Sequence, residues 1–218
     1  MRPRRRLTQD YIRARAWYEK AAAKDDASAM YNLALLYANG QGVTQDYIQA
    51  RAWFEKAANK GDTRAMASLE RLSISEAFGA GRYAEALQLQ EALAAKVEAV
   101  ETKREGKASK ETVQALYNVA WYALFAREFT KALTAADRVH ALLPDHREFE
   151  INRAHALMFL EHGKESKALY LAHKGEPISE RDARLWEHVI AEDFAEFRKA
   201  RLTHPMMADI EKELGVSP

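Results

Sequence analysis

Residues 8–30 and 44–66 of this 218-residue chain are one sequence written twice, 36 residues apart. The first copy reads TQDYIRARAWYEKAAAKDDASAM and the second TQDYIQARAWFEKAANKGDTRAM, with 17 of 23 positions identical. A fixed period of this size marks a solenoid, in which each unit buries its apolar face only against its neighbours. The repeat therefore sets the architecture. It also points to a broad kind of function, a surface on which another protein docks.

The repeating unit reads as helix. In residues 46–59 the apolar set Tyr47, Ala50, Trp53, Phe54, Ala57 and Ala58 forms one stripe at helical spacing. Large rings alternate with alanines, so the small residue of one helix admits the large residue of the next. Thr44 or Asp46 is placed to cap this helix, and Lys60-Gly61-Asp62 to end it and cap its successor. Asn39-Gly40-Gln41-Gly42 reads as a tight turn between antiparallel helices.

The run AMYNLALLYANGQGVTQDYIQARAWFEKAANKGD resembles a Sel-one-like repeat, whose pattern is a small-residue helix, a G-x-G-V turn and then D-Y-x-x-A-x-x-W-[FY]-x-x-A-A. Residues 8–25 match only the second helix of such a unit, with Arg6-Leu7 where Gly-Val would stand. From residue 67 the pattern is more similar to the related tetratricopeptide repeat. GAGRYAEALQLQEAL (79–93) supplies Gly81, Tyr83 and Ala86, and residues 113–144 place Ala120 and Ala132 twelve apart at two close-contact positions, with Pro144 at the end. A third copy, 147–174, aligns Asn152, Ala154 and Ala168 on a turn two residues longer. The charged stretch 97–111 reads as helix ends around a polar loop at Gly106.

After Pro177 the repetition stops. Ser179, with Glu180 and Asp182 in its first turn, is read as the start of a long helix carrying Leu185, Trp186, Val189, Ile190, Phe194 and Phe197, and THPMMADIEKELG as a last short helix ending at Gly215. The tail resembles segments that follow tetratricopeptide repeats in bacterial multidomain proteins. The expected organisation is thus all-α, a right-handed α-α superhelix of antiparallel helix pairs: Sel-one-like repeats over 1–66, tetratricopeptide-like repeats over 67–175, and C-terminal capping helices over 176–218.

Chemistry is sparse. Without cysteine there is no disulfide, thiolate metal site or thiol nucleophile. No two of the seven histidines show the i, i+4 spacing of a helical ligand pair within H-E-x-x-H, so no metal or other cofactor is expected. Gly40-x-Gly42 joins two helices and lacks the strand and Lys-Ser/Thr of a phosphate loop. A formal charge of +1 exerts no overall pull on nucleic acid or an anionic membrane, although residues 1–20 hold seven basic side chains against two acidic ones. No apolar run reaches the roughly 18 residues of a membrane span, and MRPRRRL is followed by polar sequence, which reads as a cytoplasmic chain. Trp17 and Trp53, at identical repeat positions, read as core.

These readings lead to a non-enzymatic scaffold that binds a protein or peptide on its concave face. The alternative is a regulatory or docking portion of a larger enzyme, for example a peptidase, whose catalytic domain lies elsewhere. The resemblance implies that positions 2, 5, 6, 9, 12 and 13 of each first helix face the groove. Counted from Val113 these are Gln114, Tyr117, Asn118, Trp121, Leu124 and Phe125; from Arg147 they are Glu148, Ile151, Asn152, His155, Met158 and Phe159. Asn32, Asn118 and Asn152 recur at one repeat position, where an amide can bond an extended peptide backbone. A lysine just before that asparagine would clamp a C-terminal carboxylate; Tyr31, Tyr117 and Ile151 stand there instead. The alternative for Trp121 and its neighbours is packing against the 179–199 helix, folded back into the groove as an internal plug. The half-repeat leaves the stripe Tyr11, Ala14, Trp17, Tyr18 and Ala21 without a covering helix, and association of copies through it is a further expectation.

Overall fold

The structure, a computed structural model, describes residues 3–102, 109–180 and 182–216. Among these residues it is all-α, with eleven α-helices, one short 3-10 turn at Arg147–Phe149 and a single isolated bridge, Pro177 to Leu185. The polar loop expected at Gly106 lies outside the described residues; helix ends at Thr102 and resumes at Lys110 on either side. The chain divides into two compact units, Met1–Glu76 and Ala77–Pro218, with the boundary inside a helix.

The first unit holds α1 (Pro3–Ala22), α2 (Ala27–Asn39), α3 (Tyr47–Asn59) and most of α4 (Thr63–Gly79). Three aspartates make the helix starts by accepting otherwise unpaired N–H groups. Asp26 accepts from Ala29 N at 2.8 Å, Asp46 from Gln49 N at 3.0 Å, and Asp62 from Arg64 N and Ala65 N at 2.9 and 3.2 Å. In the turn after α2, Gly42 has φ +70, and a Cβ there would lie 2.8 Å from Tyr11 Cβ and 3.0 Å from Ile12 N. Only glycine lets this turn press against the backbone of α1. The core is the expected ring-and-alanine stripe: Ala50 and Ala57 are fully buried, with Phe54 tilted against Tyr31 at 5.7 Å. Tyr47 stands half out of the stripe, at 49% exposure.

Trp17 departs from the core reading: it is 70% exposed, although Trp53 at the same repeat position is half-buried. The difference is one of neighbours. Trp53 lines a groove with Glu19 and Ala22 of α1 and with Ala23 just after it.

The second unit begins with the end of α4 and continues through α5 (Tyr83–Thr102), α6 (Lys110–Phe125), α7 (Phe129–Leu142), α8 (Glu150–Phe159), α9 (Gly163–Leu171), α10 (Trp186–Lys199) and α11 (Met206–Leu214). Successive helices from α5 to α9 pack as neighbours. Ala120 and Ala132 are both fully buried, as their close-contact positions require. The third copy has a different register from the one expected. Its turn is not longer: α6–α7 and α8–α9 are each joined by three residues, with Arg127 and Glu161 at φ 61 and 63 in corresponding places. The partner of Ala154 is therefore Ser166, twelve residues on, fully buried and donating to the Ala154 carbonyl at 2.9 Å; Ala168 is exposed.

The expected helix start at Ser179 also fails. Residues 176–180 and 182–186 form the two sides of a folded-back loop, with Ile178 N bonded to Arg184 O at 2.7 Å and Trp186 N to Glu176 O at 2.9 Å. Within this loop the Ser179 Oγ accepts from Asp182 N at 3.2 Å. Burial of Ile178 anchors the loop, and Asp182 paired with Arg184 at 2.7 Å braces its outside. The helix begins only at Trp186, while the last helix ends at Gly215 in the left-handed conformation, as its sequence implied.

Candidate functional site: the face of helices 6 and 8

The residues expected to line a groove fall on one face of α6 and α8, and α10 lies across most of that face. Phe197 of α10 makes ring contacts with Trp121 and Phe125 of α6 at 5.5 and 5.2 Å, and with His155 and Phe159 of α8 at 4.8 and 5.6 Å. Phe194 stacks edge-on to Tyr170 of α9 at 5.5 Å. The sequence puts Trp186, Ile190, Phe194 and Phe197 on one stripe, and all four are fully buried.

A polar pin runs through this apolar packing. His155 is fully buried; its Nδ1 accepts from the Tyr170 hydroxyl at 2.7 Å and its Nε2 faces Asp193 Oδ2 of α10 at 3.1 Å. A carboxylate only accepts, so Nε2 carries the proton. Burial, and secondarily the Asp193 charge, holds the Tyr170 hydroxyl well above the usual tyrosine range, so it remains a neutral donor. Asn152, also fully buried, donates to the Tyr117 carbonyl at 3.2 Å and so fixes α8 to α6. Ile151 is 1% exposed. Trp121, Phe125, Ile151, Asn152, His155 and Phe159 are thus brought together as expected, but within a face that the chain itself covers.

Gln114, Tyr117 and Asn118 differ. They occupy the start of α6, where Gln114 is exposed and its Nε2 donates to Asn118 Oδ1 at 2.9 Å. Tyr117 lies edge-on to Phe149 at 5.4 Å. Its hydroxyl is raised by burial first, then by Asp193 and Glu148, with Arg184 opposing them. Past Phe149 opens a cleft of about 610 Å³ lined by Lys110, His146, Arg147, Glu148, His173 and Glu180 among others. Sequence reasoning named Glu148 but not the rest. His146, Arg147 and His173 belong to turns, and no helical period points at a turn residue. Asn32, at the corresponding repeat position, lies half-buried on α2 in the first unit.

The arrangement offers amides, charges of both signs and a tyrosine edge. Among the described residues, no group of three or more His, Asp or Glu side chains is placed to hold a metal ion, and no helix is long and apolar enough to cross a membrane.

The Sel1 repeat profile matches residues 5–26 and 27–62. Among solved structures the chain is similar to a Sel1 repeat protein from Oxalobacter formigenes, at 18% identity and a TM-score of 0.42, covering 94% of this chain and 77% of that one. It is also similar to a protective antigen of uropathogenic Escherichia coli strains displaying an SLR fold, at 20% identity and a TM-score of 0.37, covering 95% of this chain and 46% of that one. No curated protein matches the sequence. Repeats of this kind are generally protein–protein interaction scaffolds, typically without catalysis of their own. The duplicated sequence, the capped helix pairs and the profile agree on one stretch: residues 5–62 are similar to Sel1 repeats.

Proposed function

We propose that this protein is a non-enzymatic scaffold that binds an extended peptide segment of a partner protein at the start of α6, through Gln114, Tyr117 and Asn118, the segment running on into the charged cleft. The observation that carries this reading is the division of the face. The centre of the face is closed by Phe194 and Phe197 of α10, while the amide pair Gln114–Asn118 lies at its uncovered end. Paired side-chain amides offer both a donor and an acceptor to a peptide backbone. Lys110 and Arg147 beside Glu148 and Glu180 suit a segment with charges of both signs, which would set register more than affinity.

Selection from a displayed random-peptide library tests this. Peptides recovered on the full chain should bind Gln114→Ala/Asn118→Ala at least tenfold more weakly, about 1.4 kcal/mol. A photo-reactive residue at position 114 should cross-link them, and one at Ile48 should not. Equal binding to the double variant, with helicity unchanged, would remove the site from this end of α6.

A further inference from the structure

Part of the charge in the cleft past Phe149 is engaged within its own wall. His146 Nδ1 faces Glu148 Oε1 at 3.1 Å, and Arg147 is paired with Glu176, whose Oε2 also lies 3.3 Å from His173 Nδ1. The charged lining groups that remain are Lys110, Asp145 and Glu180. All three are exposed, and among the described residues none of them has a hydrogen-bond or ion-pair partner. One cation and two carboxylates are thus left for a ligand to meet.

Lys110 stands in a fixed relation to the amide pair. Lys110, Gln114 and Asn118 follow one another at i, i+4 and i+8, a single row along α6 that starts at its first residue. Each step rises about 6 Å along the helix. An extended chain covers about 6.6 Å in two residues, after which its side chains return to the same side. The two periods match, so a strand laid on this row presents every second residue to it. Of the three, Lys110 alone lines the cleft, so the strand enters the cleft there.

We infer that the segment bound here is a peptide of defined charge pattern. An acidic side chain two residues from the one held by Gln114 pairs with Lys110, and a basic side chain further into the cleft pairs with the carboxylates of Asp145 and Glu180. This rests on the peptide reading of the same end of α6 and adds the charge order to it. The reverse order would set like charges together at both places, and a segment of one sign would do so at one of them.

The test is selection of displayed random peptides on the full chain and on two charge-reversed variants, Lys110→Glu and Asp145→Lys/Glu180→Lys. The substituted residues are exposed, so both variants should keep the wild-type circular dichroism. Selection on Lys110→Glu should exchange the acidic residue for a basic one, and selection on the double variant should exchange the basic residue for an acidic one. Each variant should bind the peptides selected on the wild type roughly tenfold more weakly. Peptides that lose affinity for Gln114→Ala/Asn118→Ala but bind both charge variants unchanged would overturn this inference and leave the peptide reading standing. Peptides indifferent to the amide pair, whatever their charges, or no selected peptides at all, would overturn both.

Discussion

The indole N–H of Trp186 donates to the Tyr170 carbonyl at 2.7 Å, joining the first residue of α10 to the last turns of α9. Both side chains are fully buried. A buried indole left without its acceptor would lose a hydrogen bond in a dry site, so this contact fixes where α10 starts as well as stabilising it. Trp186→Phe should cost about 1–3 kcal/mol and Trp186→Ala about 3–5 kcal/mol. Denaturant unfolding followed by circular dichroism measures both. A Trp186→Phe variant as stable as the wild type would mean that the hydrogen bond contributes nothing.

Asp193 is the only polar side chain that α10 presents to His155 among the described contacts, so its removal leaves the Nε2 proton buried and unpaired. Asp193→Ala should destabilise the second unit by about 1–3 kcal/mol. A double-mutant cycle with His155→Phe should return a coupling of about 1 kcal/mol, because the two residues share one interaction. Additive effects would show that the pin holds nothing.

Gly42→Ala places a methyl group 2.8 Å from Tyr11 Cβ, on a backbone at φ +70 that L side chains rarely adopt. Strain and overpacking together should cost the first unit about 3 kcal/mol. Since Trp17 and Trp53 both lie in that unit, emission from variants lacking Trp121 and Trp186 reads it separately. An unchanged midpoint would contradict the close approach of this turn to α1.

Asp62 provides a pH test. Its side-chain bonds to Arg64 hold the carboxyl below the ordinary aspartate value, with the backbone N–H of Ala65 and of Arg64 acting in the same direction against the cost of burial. A group depressed in the folded state contributes stability that is fully present above the unfolded value, near 4, and is lost as pH falls through the folded value. Asp62→Asn keeps a competent helix cap but removes the charge. Below about pH 4 the wild type should lose stability more steeply than this variant. Parallel curves would mean that the Arg64 pairing does not stabilise the fold.

The sequence and the structure agree where a period exists. The 36-residue duplication placed α1, α3 and the aspartate caps, and the Ala120–Ala132 spacing gave the α6–α7 packing. They part where a single residue decides. Ala168 looked like the close-contact residue because it is alanine, yet Ser166 fills that position by returning its hydroxyl proton to Ala154. Ser179 has the composition of a helix cap, but the bridge between Pro177 and Leu185 satisfies the backbone across a loop instead. The groove residues were legible as one face, because they recur at helical spacing on two successive first helices. The cover was legible only as an alternative, the 179–199 helix folded back onto Trp121, and Phe197 now stands against Trp121 and Phe125. For Trp121 and Asn152 this makes packing the role visible here: one against Phe197, the other holding the Tyr117 carbonyl.

The central claim is that α10 closes the middle of the α6–α8 face and confines partner contact to the end at Gln114 and Asn118. Native-state hydrogen exchange tests it most directly. The amides of Ile190 to Arg198 should open with the same free energy as those of α8, because His155, Phe194 and Phe197 make them one cooperative body. Exchange of α10 several kcal/mol more easily than α8 would contradict the claim, and would make the whole face available to a partner.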